Sequence, residues 1–115
     1  MAELLCITVL PQDVQATLQE AADHPGTMNL ENSCPIAQAL YRMNPGIWDA
    51  EVSPKDIGFS VETGSHRLYR HTLGSLLFIT AFDNAYGKYT HHPDADNPAD
   101  LVPPEGIKFC FEEAR

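Results

Sequence analysis

The chain has 115 residues, and its seven Lys and Arg face sixteen Asp and Glu, which gives a formal net charge of −9. This length fits one domain spanning residues 1–115, and a hydrophobic content of 43% argues against wholesale disorder. The acidic excess excludes a general nucleic-acid binder, because such proteins need Lys and Arg against phosphates. Since no long apolar run or signal peptide is present, we expect neither a membrane protein nor a secreted disulfide scaffold.

The charge is unevenly distributed along the chain. Residues 1–41 contain five acids and no Lys or Arg, whereas residues 42–71 contain four acids and four bases. Residues 72–115 contain seven acids and three bases. Acidic surfaces usually confer solubility, but they also attract basic proteins and accelerate association with them.

The first third of the chain predicts one strand and two helices. Residues 4–9 form an apolar, β-branched run that is typical of a buried strand. Pro11 then suits the first turn of a helix, which apolar residues at helical spacing continue to about residue 23. A second helix is predicted from about Asn32 to the breaker sequence 44–46, with Pro35 in its first turn.

The middle of the chain changes to a period of two. Residues 48–52, 57–62 and 66–69 are predicted strands, and residues 63–65 form the turn between the last two. Residues 73–86 are apolar on nearly all sides, which is compatible with a buried helix or a buried strand. Their length favours a helix, with Thr72 as N-cap and Gly87 just past its end.

A long segment rich in proline and aspartate, residues 88–106, precedes a last strand at residues 107–111. Loops of this length inside compact domains are usually functional or flexible. The predicted order is β-α-α-β-β-β-α-β. It indicates an α+β fold in which helices pack on one face of a small, mostly antiparallel sheet.

The three cysteines, Cys6, Cys34 and Cys110, lack Cys-x-x-Cys spacing. Cys6 and Cys110 fall in predicted buried strands, where free cysteine packs as a small hydrophobic residue. Three unpaired thiols are typical of a reducing cytoplasm. Cys34 opens a helix, whose N–H groups favour the thiolate, but the spacing places no histidine beside it as a base. A packed or capping role for Cys34 is therefore favoured over a nucleophile.

Residues 91–96 (HHPDAD) combine imidazoles with carboxylates, which are ligand types for a transition metal. Their spacing lacks both a helical i, i+4 histidine pair and a distal cysteine pair, and Pro93 favours a solvated turn. Asp83, near the predicted end of its helix, opposes the helix dipole and should need a partner. The chain contains no phosphate-binding loop, dinucleotide fingerprint or nucleophile elbow. We therefore expect no catalytic residue, metal or cofactor.

Several short motifs recur together in a known group of proteins. Residues 34–40 read CPIAQAL, an F-D pair stands at residues 82–83, and prolines precede the terminal strand. In this combination the chain resembles small uncharacterised proteins of bacteriophages and prophages, especially those of actinobacteria. The resemblance implies a phage-encoded accessory protein acting in the cytoplasm of a bacterial host.

The acidic charge and the resemblance together support a non-enzymatic binding protein that inhibits a basic host protein. A defence nuclease such as a CRISPR effector would be its target, so that the chain acts as an anti-CRISPR or a DNA mimic. Its predicted contact residues are acids of the first third and of the long loop: Asp13, Glu20, Asp23, Glu31, Asp94, Asp96 and Asp100.

Two alternatives stay open at this point. One is an enzyme, either a small metal-dependent hydrolase using His91, His92 and Asp94 or a thiol enzyme using Cys34. The other is an assembly protein of the virion. The sequence leaves the oligomeric state undetermined.

Overall fold

A computed structural model describes residues 4–92 and 94–114, and it confirms the predicted α+β class. Glu3, Pro93 and Arg115, which entered the charge and loop predictions, lie outside the described residues. The elements in chain order are β1 (Leu4–Val9), α1 (Pro11–Asp23), α2 (Leu30–Ser33), α3 (Pro35–Met43), β2 (Trp48–Val52), β3 (Asp56–Ser60), β4 (His66–Arg70), α4 (Leu73–His91), a 3₁₀ helix (Pro98–Leu101) and β5 (Ile107–Glu113).

The strands form one antiparallel sheet in the order β1-β5-β4-β3-β2. The first and last strands pair along their whole length, from Leu4 opposite Glu112 to Val9 opposite Ile107. This pairing places the two ends of the chain side by side. The sheet therefore forms only when residues about a hundred positions apart meet. Such long-range pairing slows folding, because the entropy of closing a long loop is lost before the strands pair.

Alternating side chains give the sheet one buried face and one exposed face. Ile7 and Val9 of β1 and Phe111 of β5 are fully or nearly fully buried beneath the helices. Cys6 of β1 and Lys108 of β5 point to the opposite face and are exposed. The predicted arrangement, with helices on one face, is confirmed.

The second predicted helix is divided at Cys34. A one-turn helix, α2, is capped by Asn29, whose side chain accepts a hydrogen bond from Glu31 N–H. Cys34 then takes an extended conformation and serves as N-cap residue of α3. Pro35 at the first position of α3 explains the break, because proline disfavours a helical residue before it.

α4 differs from its prediction in length and in burial. Thr72 caps it as expected, since Thr72 Oγ1 accepts a hydrogen bond from Ser75 N–H at 3.0 Å. The helix continues through Gly87 to His91 rather than ending before Gly87. It buries Phe78 and Phe82 on one side only, so the prediction of burial on nearly all sides was wrong.

The predicted loop 88–106 is shorter and more ordered than expected. Its first residues belong to α4, and Pro98–Leu101 forms a 3₁₀ helix. The Asn97 side chain caps this helix by accepting a hydrogen bond from Ala99 N–H at 2.8 Å. Pro98, Ala99 and Val102 are buried, so the segment is anchored to the rest of the domain.

The prediction of three free cysteines was wrong. Cys6 and Cys110 face each other across β1 and β5 and form a disulfide bond. Sequence periodicity suggested burial for both strands but could not show that these two positions share the exposed face. Among the described residues, Cys34 is the free cysteine, and it is buried.

Candidate partner-binding surface

The structure separates the seven predicted contact residues into three groups. Asp13 belongs to the first, because it is 2% exposed and already fully engaged. Its two carboxylate oxygens accept hydrogen bonds from Arg42 Nε at 2.9 Å and Arg42 Nη2 at 3.0 Å. Asp13 Oδ2 also accepts one from Leu10 N–H at 2.8 Å, at the start of α1. Asp13 is therefore a structural residue, and its prediction as a contact residue was wrong.

Glu20, Asp23 and Glu31 form the second group, at the far end of α1 and in α2. Glu20 is half-buried and accepts a hydrogen bond from Gln38 Nε2 at 2.9 Å. Asp23 and Glu31 are exposed, and Asp23 accepts one from Gln19 Nε2 at 2.9 Å. None of these acids lines the groove that holds the remaining three.

Asp94, Asp96 and Asp100 form the third group, and they line a single groove. The groove lies between the second half of α4 and the segment that follows it, with a cavity volume of about 540 Å³. Its lining residues are Ala81, Asn84, Ala85, Lys88, Asp94, Ala95, Asp96, Asn97, Pro98, Asp100 and Leu101. We call this site the acidic groove, because its described lining residues include three carboxylates and one ammonium group.

Backbone hydrogen bonds order the segment that carries these exposed carboxylates. Ala95 N–H donates to the carbonyl of His92, the C-cap residue of α4, at 2.8 Å. Asp100 N–H donates to the carbonyl of Asn97 at 2.9 Å within the 3₁₀ helix. All three aspartates are exposed, so their charge is available to a partner without desolvating a buried group.

An apolar strip leads along α4 into the acidic groove. Leu73 and Leu77 are 74% and 62% exposed, and they lie four residues apart on the face opposite Phe78 and Phe82. Ala81 continues the strip at the next turn and lines the groove. We call Leu73, Leu77 and Ala81 the α4 strip.

Cys34 does not have the environment of a nucleophile. Burial raises the pKa of its thiol to about 11, although the N–H groups of Ala37 and Ile36 at the start of α3 act in the opposite direction. The nearby charge of Asp83 contributes to this rise in the same direction as burial. Because Cys34 is 5% exposed, the thiol is neutral and shielded at neutral pH, as expected of a packed capping residue.

Asp83 lies within α4 rather than at its end, because the helix continues to His91. Partial burial raises the pKa of its carboxyl group.

The histidine segment shows no metal-binding arrangement. His91 and His92 are exposed at the end of α4. In residues 4–92 and 94–114, no three histidine, cysteine, aspartate or glutamate side chains are grouped so that they could hold a metal ion. The residues proposed for a hydrolase are therefore not assembled into a site.

A histidine that the sequence reasoning missed lies between two segments of the fold. His71 Nε2 lies 2.7 Å from the carbonyl oxygen of Ser53, and His71 Nδ1 lies 2.8 Å from Ser75 Oγ. Since the carbonyl can only accept, Nε2 carries a proton. Ser75 is fully buried and Ser75 Oγ also bonds Thr72, so this pair links elements rather than forming a nucleophile. The sequence feature that could have indicated this role of His71 is its position directly before Thr72, the N-cap residue of α4.

Comparisons with protein-family models, with curated proteins and with solved structures find no match for this chain. Within the described parts of the chain, no helix has both the length and the apolar character needed to cross a bilayer.

Proposed function

We propose that this chain is a phage-encoded, non-enzymatic binding protein that inhibits a basic host protein in the bacterial cytoplasm. The observation that carries the proposal is the acidic groove, where Asp94, Asp96 and Asp100 present their carboxylates together at the surface. A target that binds nucleic acid, such as a CRISPR effector or another defence nuclease, offers Lys and Arg side chains to which these carboxylates bind in place of phosphates.

Charge and residue environments support binding over catalysis. The net charge of −9 opposes direct binding to nucleic acid and favours fast association with a basic protein. The thiol proposed for catalysis is buried with a raised pKa, and His91 and His92, two of the three proposed metal ligands, are exposed at the end of α4. The resemblance to phage proteins supports the cytoplasmic location, whereas the Cys6–Cys110 disulfide gives it no support.

A charge-matched capture experiment tests this function. Tagged protein is expressed in its host and purified at low and at high salt beside two variants. The groove variant carries Asp94→Asn, Asp96→Asn and Asp100→Asn. The matched control carries Asp23→Asn, Glu31→Gln and Glu62→Gln, three exposed acids outside the groove. Both variants lose the same charge, so only the location of the carboxylates differs.

We expect the wild type and the matched control to retain one basic protein at low salt and to release it at high salt. The groove variant should retain little of it. In a gel-shift assay, the wild type should also prevent the recovered protein from binding nucleic acid. Recovery of no partner, or equal recovery by the groove variant, would refute the proposal. Detection of the chain in purified phage particles would instead support the assembly role.

A further inference from the structure

We propose that the α4 strip and the acidic groove together bind one basic, amphipathic helix of the partner protein. This inference rests on the proposed function, and it specifies which secondary structure the partner presents. It is motivated by the outer face of α4, where Leu73 and Leu77 are 74% and 62% exposed although the same helix buries Phe78 and Phe82.

The spacing of the exposed residues fits a helical ligand. Leu73, Leu77 and Ala81 recur every four residues, and Lys88 ends the same face within the groove. At about 1.5 Å per residue, the surface from Leu73 to Lys88 is about 22 Å long, which matches roughly four turns of a partner helix. Helix-in-groove recognition uses such apolar anchors at intervals of three and four residues.

The charges select a basic partner. Asp94, Asp96 and Asp100 line the groove together with residues of α4, and Leu101, 39% exposed, adds an apolar lining residue. A helix with Leu on one side and Lys or Arg beside it would bury its apolar side on the α4 strip and direct its cations to these carboxylates. Arg is especially suited, because its guanidinium binds a carboxylate through two hydrogen bonds.

Charge and geometry argue against three other occupants of this helix face. A second copy of this chain carries −9 as well, so pairing through α4 would bring like charges together. An anionic lipid surface would be repelled for the same reason. An extended peptide would need a free sheet edge for its main-chain hydrogen bonds, whereas the groove is lined by a helix and a 3₁₀ segment.

The test uses two synthetic peptides of identical composition, each of eighteen Leu and Lys residues, a length that spans about five helical turns. One peptide arranges the leucines on a single helix face, and the other is scrambled so that it has the same charge but no apolar face. Each is titrated into ¹⁵N-labelled protein, and affinities and perturbed amides are recorded by NMR. The protein variant is Leu73→Ser with Leu77→Ser. Its control is Leu4→Ser with Leu68→Ser, two exposed leucines on the open sheet face.

We expect the amphipathic peptide to perturb amides of α4 and of residues 94–101, and to bind about tenfold more tightly than the scrambled peptide. The Leu73/Leu77 variant should remove that preference, while the Leu4/Leu68 variant keeps it. Since these leucines are exposed, all variants should retain the wild-type melting temperature.

Three outcomes would overturn the inference: equal affinity for both peptides, perturbations confined to the sheet face, or a dimer of the free protein that the Leu73/Leu77 variant dissociates. The capture experiment stays independent of these outcomes. Capture of the host partner can depend on the three carboxylates and yet be unchanged in the Leu73/Leu77 variant. That result would support the proposed function and refute the helical ligand.

Discussion

Asp13 shows how a single carboxylate can belong to the fold rather than to the surface. It is buried at the start of α1, where it accepts hydrogen bonds from the Leu10 N–H and from two nitrogens of Arg42. The Arg42 side chain also donates to the carbonyl of Thr8 at 2.6 Å, on the outer edge of β1. One ion pair therefore joins α1, α3 and the edge strand.

Replacing Asp13 with Asn should destabilise the protein by about 2 kcal/mol, because it removes the charge that Arg42 faces and weakens the helix cap. The loss is below that of a fully buried pair, since Arg42 is 30% exposed and can be rehydrated. Urea unfolding measures the change. Asp23→Asn, at an exposed position of α1, should stay within about 0.5 kcal/mol of wild type. An equal effect of both substitutions would contradict this role.

His71 makes the stability depend on pH in a defined direction. Burial lowers the pKa of His71 below its ordinary 6.5, despite opposing effects of Ser53 and Asp56. The unfolded chain therefore binds a proton at a higher pH than the folded chain does. The resulting stabilisation is complete above pH 6.5 and is lost as the pH falls below that value toward the folded-state pKa.

We expect the free energy of unfolding of wild type to fall between about pH 7.5 and about pH 5.5, and that of His71→Gln to fall by less. Glutamine keeps a donor and an acceptor at this position but does not titrate. Urea unfolding of both proteins at the two pH values gives the difference. Parallel curves for the two proteins would show that His71 does not carry this pH dependence.

At the scale of elements, Gly87 and Gly106 play different structural roles. Gly87 was interpreted as a helix stop, yet α4 passes through it, and an added Cβ would meet no atom within 4 Å. Gly106 lies before β5 with φ +87°. An added Cβ there would lie 2.8 Å from the carbonyl oxygen of Val9 and 2.7 Å from Thr8 Cγ2. Of these two glycines, Gly106 is the one that its backbone conformation and its surroundings require.

Gly87→Ala should therefore stabilise the protein by about 0.5–1 kcal/mol, because alanine reduces the entropy lost when a helix forms. Gly106→Ala should destabilise it by about 2 kcal/mol or more, through the left-handed backbone and the contact with β1. Thermal unfolding distinguishes these opposite signs. Destabilisation by Gly87→Ala would indicate that α4 ends before this residue.

At the scale of the whole molecule, the disulfide joins the two terminal strands. Cys6 and Cys110 are separated by 104 positions, so their bond closes nearly the entire chain into a loop. In the chain-entropy description such a bond stabilises the fold mainly by restricting the unfolded state. It lies on the exposed sheet face, whereas the free Cys34 is buried beneath the helices.

Reduction of this bond should lower the free energy of unfolding by about 2–4 kcal/mol. The Cys6→Ala, Cys110→Ala protein should be equally destabilised and insensitive to reductant. Alkylation followed by intact-mass measurement provides the second readout. Native oxidised protein should incorporate no label, and unfolded oxidised protein should incorporate one, at Cys34. Three labelled sites without reductant would contradict the disulfide.

Prediction from sequence succeeded where the signal was local. Pro11, Pro35 and Thr72 each marked a helix start, because their preferred conformations or side-chain acceptors satisfy helix ends wherever the chain folds. Alternating apolar residues likewise placed the strands within a few residues of their observed bounds. The α+β class followed from the order of these elements.

Prediction failed where position depended on what another segment covers. The apolar run of α4 could not reveal which side the fold would bury, so the exposure of Leu73 and Leu77 was not predicted. A count of charges likewise could not predict that Asp13 is buried whereas Asp94, Asp96 and Asp100 are exposed. For the candidate site, the sequence supplied the aspartates of residues 94–100 but neither the groove nor the apolar strip beside it.

The sequence by itself determined an acidic α+β chain, since charge and local periodicity do not depend on long-range contacts. The tertiary structure alone decided which acids share a surface, which cysteines pair and which face of α4 stays open. Each of these outcomes depends on contacts between residues far apart in the chain. They are fixed by the packing of helices on one sheet face and by the pairing of the first strand with the last.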